Sequence, residues 1–157
     1  MRLLFIELVN YLVGTTSTNK LSFDVVVECV GTQLSTITDY EGRYLVGFQD
    51  GLMRAKRATP SIQSQFQIVP IDESKVAFRN ILGKYLAAET DNSLAWNRDS
   101  VGSWEEYTME NHEDKVAFKT FHNDFLSITD SGAMVRVDSV ASQELFKVEE
   151  MCRTGNL

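Results

Sequence analysis

The chain has 157 residues, of which 43% are apolar and 24% are charged. These values are ordinary for a soluble globular protein, and the length suits one well-buried core rather than two domains. The net charge of −7 opposes binding to phosphate backbones and to anionic lipid, so the composition predicts neither a nucleic-acid partner nor a membrane partner.

The N-terminal segment, residues 1–32, begins with the apolar run MRLLFIELVNYLV. Glu7 and Asn10 interrupt this run and no small-residue cleavage site follows it, which disfavours a secretory signal. The run is also too short and too polar to span a membrane. We therefore expect an extension packed on the main domain of a cytoplasmic protein, with a cytoskeletal location as one option and secretion as the alternative.

From residue 33 onward the sequence repeats itself. The pentapeptide Lys75–Arg79 (KVAFR) recurs as Lys115–Lys119 (KVAFK), about 40 residues further along. In three places a turn former and a polar residue precede an aromatic ring and a leucine; these are Gly42–Leu45, Gly83–Leu86 and Asn123–Leu126. The chain therefore contains three related units, covering about residues 33–73, 74–112 and 113–150.

Each unit holds four short runs bounded by Gly, Asn, Asp or Ser, which is the pattern of strands in an all-β domain. The third run of each unit is a strand predicted over Met53–Arg57, Leu94–Arg98 and Ala133–Val137, and the fourth includes Trp104–Met109 and its counterparts. Three four-strand units predict a β-trefoil over residues 33–157. The expected core layers are the three leucines and three rings of the repeat: Leu45, Leu86, Leu126, Phe66, Tyr107 and Phe146.

The middle unit carries the clearest resemblance to a known family. Its segments Val76–Glu89 (VAFRNILGKYLAAE) and Ser100–Asn111 (SVGSWEEYTMEN) resemble the repeat signature of fascin domains. The resemblance extends over about residues 33–150 and implies the β-trefoil of the fascin and actin-crosslinking superfamily, in which some members bind actin and other trefoils bind sugars. Fascin has four trefoils, whereas this sequence has one, and the two histidines exclude a histidine-rich pH switch.

One basic cluster stands out in the first unit, within Arg54-Ala55-Lys56-Arg57. Side chains alternate along a strand, so Arg54 and Lys56 are predicted to share a face and Arg57 to point elsewhere. Together with Lys84, Arg98 and Arg43, these residues are a candidate positive face for an acidic protein such as actin. The competing interpretation is an ordinary solvated strand.

A second candidate site is Trp96 with Asn97, next to Arg98. Trp96 aligns with Ala55 and Val135 in the other units, so it is an aromatic residue without aromatic counterparts. An exposed indole beside polar groups would suit a small sugar, which gives a lectin-like alternative. The other interpretation is that Trp96 fills space in an imperfect repeat.

No residue pattern predicts catalysis, a metal or a cofactor. The acidic residues around the second unit's fourth strand are expected on an exposed strand end without a cleft; they are Glu105, Glu106, Glu110, Glu113 and Asp114. Two cysteines and two histidines lack zinc-site spacing. Cys29 and Cys152 flank the repeats, and either a bridge or two free thiols is compatible with that placement.

The sequence thus predicts a non-enzymatic binding or scaffold module of fascin type. Actin or another protein is the expected partner, with a sugar as the alternative. A structural domain within a longer protein of several trefoils is a further interpretation.

Overall fold

Twelve strands occur in the residues that the computed structural model describes, which are 33–47, 51–57 and 59–151. The first unit contains β1 (Leu34–Thr38), β2 (Tyr44–Gly47), β3 (Met53–Lys56) and β4 (Gln67–Pro70). The second contains β5 (Lys75–Arg79), β6 (Tyr85–Ala88), β7 (Leu94–Arg98) and β8 (Tyr107–His112). The third contains β9 (Lys115–Thr120), β10 (Phe125–Ile128), β11 (Met134–Val137) and β12 (Lys147–Met151).

Each unit has a single 3-10 turn before its fourth strand, at Ile62–Ser64, Ser103–Glu105 and Ser142–Glu144. A strand was predicted from Trp104 onward. This prediction is wrong for the residues before Tyr107, where β8 begins. The Glu105 carboxylate accepts a hydrogen bond from the backbone N–H of Gly102 at 2.7 Å, which stabilises a turn at this point. The all-β class is confirmed, because no α-helix lies within the described ranges.

The turn between the first and second strands has the same geometry in all three units. The turn former takes a left-handed conformation each time, with φ of +76° at Gly42, +80° at Gly83 and +72° at Asn123. Glycine and asparagine tolerate this region better than other residues do. The left-handed conformation at this position thus explains why glycine or asparagine recurs there in the sequence.

The strands form two hydrogen-bonded sheets. One has the order β12-β1-β2-β3, and the other has the order β11-β10-β9-β8-β5-β6-β7 with β4 also paired to β5. The first and last strands pair along their whole length, from Leu34 opposite Met151 to Thr38 opposite Lys147. The two ends of the repeat region are therefore neighbours in one antiparallel ladder.

The first strand of each unit also meets the residue just after its own 3-10 turn. Ser35 pairs with Phe66, and Val116 with Phe146, by two backbone hydrogen bonds each. The same pairing joins Val76 to Tyr107 in the second unit.

The repeat's aromatic residues and leucines lie in one hydrophobic core. Phe66, Tyr107 and Phe146 are completely buried, and each of the leucines Leu45, Leu86 and Leu126 is at most 2% exposed. Burial of one such side chain contributes about 1.5–3 kcal/mol to folding. The prediction that these residues are core is confirmed.

Some predictions concern parts of the chain outside the described residues. The N-terminal extension, residues 1–32, and the relation between Cys29 and Cys152 remain predictions. All the described residues fall within one compact unit. None of its helices has the length and apolar character needed to cross a membrane.

Candidate protein-binding site

The basic cluster of the first unit lies on β3 and at its end. Met53 and Ala55 point into the core, whereas Arg54 is partly exposed and Lys56 and Arg57 are exposed. This alternation is the one that a strand imposes on successive side chains. The prediction that Arg54 and Lys56 share the outer face of the strand is confirmed.

Neighbouring backbone on both sides fixes the position of β3. On one side Arg54 lies opposite Val46, and Lys56 lies opposite Tyr44, in the ladder with β2. On the other side the Ala55 N–H donates to the carbonyl oxygen of Gly132 at 2.7 Å. The outward side chains of Arg54 and Lys56 are therefore carried by a strand with hydrogen-bonded neighbours, rather than by a loose loop. We call Arg54, Lys56 and Arg57 the basic surface.

Arg57 forms an ion pair with an acid of the first unit. Its side chain is 72% exposed, and its Nη2 lies 2.9 Å from Oε2 of Glu41 in the turn between β1 and β2. An exposed pair of this kind contributes about 0–1 kcal/mol, because water screens the charges.

Arg43 does not belong to the positive face, contrary to the prediction. Its side chain is 7% exposed, and its Nε donates to Oδ2 of Asp39 at 2.7 Å. Its Nη1 and Nη2 donate to the carbonyl oxygens of Asp130 and Thr129 at 2.7 and 3.1 Å. Burial disfavours the charged guanidinium, but the hydrogen bond with Asp39 and the negative charges of Asp39 and Glu41 together outweigh this effect and raise the pKa of Arg43 above its ordinary value. Arg43 therefore links the first unit to the third.

Lys84 and Arg98 both have acidic partners within the second unit. Lys84 pairs with Asp99. Arg98 contacts both carboxylate oxygens of Glu89, at 2.9 and 3.1 Å, and lies 3.4 Å from Glu105. Lys84 and Arg98 are thus paired with acids of the second unit, just as Arg57 is paired with Glu41 of the first. The structure brings Arg54, Lys56 and Arg57 together on one strand and its end, and places Lys84 and Arg98 in local ion pairs of another unit.

Trp96 is buried, with only 6% exposure, and stacks on Phe66 with ring centroids 5.4 Å apart and planes 2° from parallel. Asn97 donates a hydrogen bond to Glu89 at 3.2 Å. A sugar stacks on an exposed ring face, so this placement favours the interpretation of Trp96 as a space-filling core residue.

The pairing of the strands also corrects the alignment of Trp96 with the third unit. Trp96 lies opposite Leu86, just as Ala55 lies opposite Leu45 and Arg136 lies opposite Leu126. Its counterpart is therefore Arg136, rather than Val135. The equivalent positions are filled by a methyl group, an indole and a guanidinium.

Arg136 is held by a carboxylate of its own unit. Its side chain is 3% exposed, and its Nη2 lies 2.7 Å from Oδ2 of Asp124. Its Nη1 also donates to the carbonyl oxygen of Glu89, at 2.5 Å. Burial would raise the pKa of Asp124, but hydrogen bonds from Arg136 and Thr120 outweigh burial and lower it below the ordinary value. Arg136 thereby links the third unit to the second.

The acidic residues of the second unit do not form one exposed group. Glu105 is 4% exposed and is bound to its own turn and to Arg98, which corrects the prediction that it lies on an exposed strand end. Glu106 pairs with Lys75 at 3.1 Å. Throughout the described ranges, no three His, Cys, Asp or Glu side chains are grouped so that they could hold a metal ion.

Sequence reasoning missed Glu41, which contacts the basic surface through Arg57. The turn containing Glu41 adjoins β2, and β2 pairs with β3. A hairpin drawn from the sequence could have suggested that this acid lies near the end of β3. The contacts of Arg43 with the third unit had no such signal, because residues 129–130 are far away in the chain.

Comparison with known proteins gives the family of the chain. Residues 40–155, about three quarters of the sequence, match a family model described as the FRG1-like domain. The chain is also 30% identical over 91 residues to "Protein FRG1 homolog" of Drosophila melanogaster. That alignment covers 57% of this chain and 35% of the relative, so the chain spans about a third of the relative's length. The matched residues include the second and third repeat units and the first unit from residue 40 onward, and the chain therefore belongs to the FRG1-like domain family.

Proposed function

We propose that the chain is a non-enzymatic protein-interaction module with a β-trefoil architecture, and that its basic surface binds an acidic protein. The candidate partner is the actin filament, as the resemblance to fascin domains implies. Membership of the FRG1-like family supports an interaction module. An intracellular location, in the cytoplasm or on the cytoskeleton, follows as part of the same proposal.

The trefoil architecture is supported by equivalent contacts in the three units. Each unit has four strands, and its first strand pairs with the ring residue that follows its 3-10 turn. The pairing of β1 with β12 joins the first and third units. A cyclic arrangement of three such units places one buried ring and one buried leucine from every unit in the same core, which agrees with the observed burial.

The observation that carries the binding proposal is the basic surface itself. Three basic side chains lie on or just after β3, and the backbone of this strand is hydrogen-bonded on both sides. The protein as a whole has a net charge of −7, so an acidic partner is repelled by most of the molecule. Local positive charge of this kind orients an acidic partner and favours contact at β3 over contact elsewhere.

Co-sedimentation with actin filaments tests the proposal. The triple change Arg54→Glu, Lys56→Glu and Arg57→Glu should weaken binding at least about tenfold, since like charges at an interface are repulsive. Binding by the unchanged protein should also weaken as salt is added, because salt screens exposed charges.

The matched control reverses three other basic residues, with Arg79→Glu, Lys115→Glu and Lys119→Glu. This control changes the net charge by the same amount but leaves β3 intact. We expect its binding to stay close to that of the unchanged protein. Equal losses in the two triple variants would mean that only net charge matters, and undiminished binding by the β3 variant would refute the proposed site.

A further inference from the structure

We infer that Glu41 is an internal competitor for the partner's carboxylate at Arg57, so that an acidic partner binds by replacing Glu41 in this ion pair. The inference rests on the proposed function and makes it more specific. It assigns the partner's contacting group as a carboxylate and gives Glu41 the role of limiting affinity at the basic surface.

The contact between Arg57 and Glu41 has the form that a partner's contact would take. Nη2 of Arg57 and Oε2 of Glu41 are 2.9 Å apart, which is the length of a charge-assisted hydrogen bond. The Arg57 side chain is 72% exposed, whereas the Glu41 side chain is 35% exposed. Glu41 therefore covers only part of the Arg57 guanidinium. A carboxylate from outside the molecule can approach the rest of this group through solvent.

Glu41 remains paired when Arg57 turns to a partner. Its Oε2 also lies 3.5 Å from Nε of the buried Arg43. The backbone N–H of Glu41 donates to Oδ1 of Asp39 at 3.0 Å, which fixes the turn. Replacement of Glu41 at Arg57 therefore leaves no carboxylate without a cation. The energetic cost is that of one exposed pair, and the Glu41 carboxylate repels the incoming one.

The turn itself does not require an acid at position 41. In the equivalent turns, the residue before the left-handed position is Leu82 in the second unit and His122 in the third. All three turns are closed by the same backbone hydrogen bond, for example from Gly42 N–H to the Asp39 carbonyl oxygen at 3.0 Å. Glu41 can thus be replaced without loss of the turn. Among these three turns, only the turn of the first unit, which also carries the basic surface, has an acid at this position.

The test compares Glu41→Gln with Glu106→Gln. Each change removes one negative charge and frees one basic residue from an ion pair that is at least partly exposed, since Glu106 pairs with Lys75 at 3.1 Å. In co-sedimentation with actin filaments, Glu41→Gln should tighten binding about two- to fivefold, which is the range of an exposed ion pair. Glu106→Gln should change binding little.

A double-variant cycle separates a local effect from a long-range one. In protein that already carries Arg57→Gln, the additional change Glu41→Gln should no longer tighten binding, because the competition acts through Arg57. Equal tightening by Glu41→Gln and Glu106→Gln would overturn the inference. The inference would also be overturned if Glu41→Gln still tightened binding in protein that carries Arg57→Gln.

A second measurement keeps the inference testable if the actin proposal fails. The probe is a hexa-aspartate peptide, and the readout is the NMR signal of the Arg57 Nε–H group. The signal should move at lower peptide concentration in Glu41→Gln than in the unchanged protein. If the signal moves in this way but actin filaments do not bind, the proposed partner is refuted and the competition between Glu41 and an added carboxylate stands. If the Arg57 signal responds equally in both proteins, the competition is refuted.

Discussion

At the scale of single residues, the buried arginines are the side chains with the largest expected effect on stability. Replacing Arg43 by Ala would leave Asp39 buried beside an empty site and would free two carbonyl oxygens of the third unit. Loss of one partner of a buried ion pair costs about 3–5 kcal/mol. We expect Arg43→Ala to lower the free energy of unfolding by this amount, measured by urea denaturation.

Arg57 provides the control for that prediction, because it has a similar ion pair on the exposed surface. Arg57→Ala should lower the free energy of unfolding by only about 0–1 kcal/mol. A loss as small for Arg43→Ala as for Arg57→Ala would show that Arg43 does not join the units as described.

Asp124 makes stability depend on pH in a defined direction. Its pKa is lowered in the folded protein, so its charged form stabilises the fold above the unfolded-state pKa of about 4 and this contribution is lost as pH falls through the folded value. At pH 7, Asp124→Asn should be less stable than the unchanged protein, by about 3 kcal/mol, because Arg136 loses its partner. The difference should narrow below about pH 4. A difference that stays constant down to about pH 2 would contradict this account.

At the scale of elements, the hairpin of the third unit fits tightly against β3. A Cβ added to Gly132 would lie 2.5 Å from the carbonyl oxygen of Ala55, and φ at Gly132 is +87°. Gly42 has a similar φ of +76° but has open space around it. Both positions therefore disfavour a side chain through backbone conformation, and only Gly132 adds a clash.

We therefore expect Gly132→Ala to be more destabilising than Gly42→Ala. The backbone conformation should cost roughly 1–2 kcal/mol in either variant. The clash at Gly132 should add about 1–3 kcal/mol. Denaturation midpoints of the two variants measure the difference, and equal midpoints would mean that the hairpin of the third unit does not contact β3 in solution.

The sequence predicted the elements well where the repeat is regular. The third strand of every unit lies within its predicted range, and the observed bounds differ from the predicted ones by at most one residue. The 3-10 turns were missed because their stabilising contact is a side-chain acceptor bound to nearby backbone, as at Glu105, which leaves no apolar periodicity. The register error at Trp96 arose because strand pairing, and not spacing alone, sets which residues are equivalent.

The candidate site could be predicted only in part, for a related physical reason. Arg54, Lys56 and Arg57 are adjacent in sequence, so a strand pattern was enough to place them together. The charge state of the wider surface depends on acids that pair across turns, such as Glu41 with Arg57 and Asp99 with Lys84. Such pairs are set by side-chain geometry in the folded protein, which the order of residues does not specify.

At the scale of the whole molecule, each unit contributes both its own strands and contacts to a neighbour. Arg43 of the first unit binds carbonyl oxygens of the third, and Arg136 of the third binds one of the second. The β1–β12 ladder adds a further connection between the first and third units. These contacts are the physical basis for proposing a cyclic threefold arrangement. Within it, β3 carries the basic surface that we propose as the binding site.

Amide hydrogen exchange of the intact chain, read residue by residue by NMR, tests this arrangement most directly. If the three units form one closed structure, the backbone amides of Ser35, Phe66, Val116 and Phe146 should exchange slowly and at similar rates, since all four donate in equivalent paired hydrogen bonds. The amides of β1 that face β12 should be protected to the same degree. Rapid exchange in β1 and β12, beside slow exchange in the second unit, would show that the ends of the repeat fray apart and would contradict the closed threefold structure.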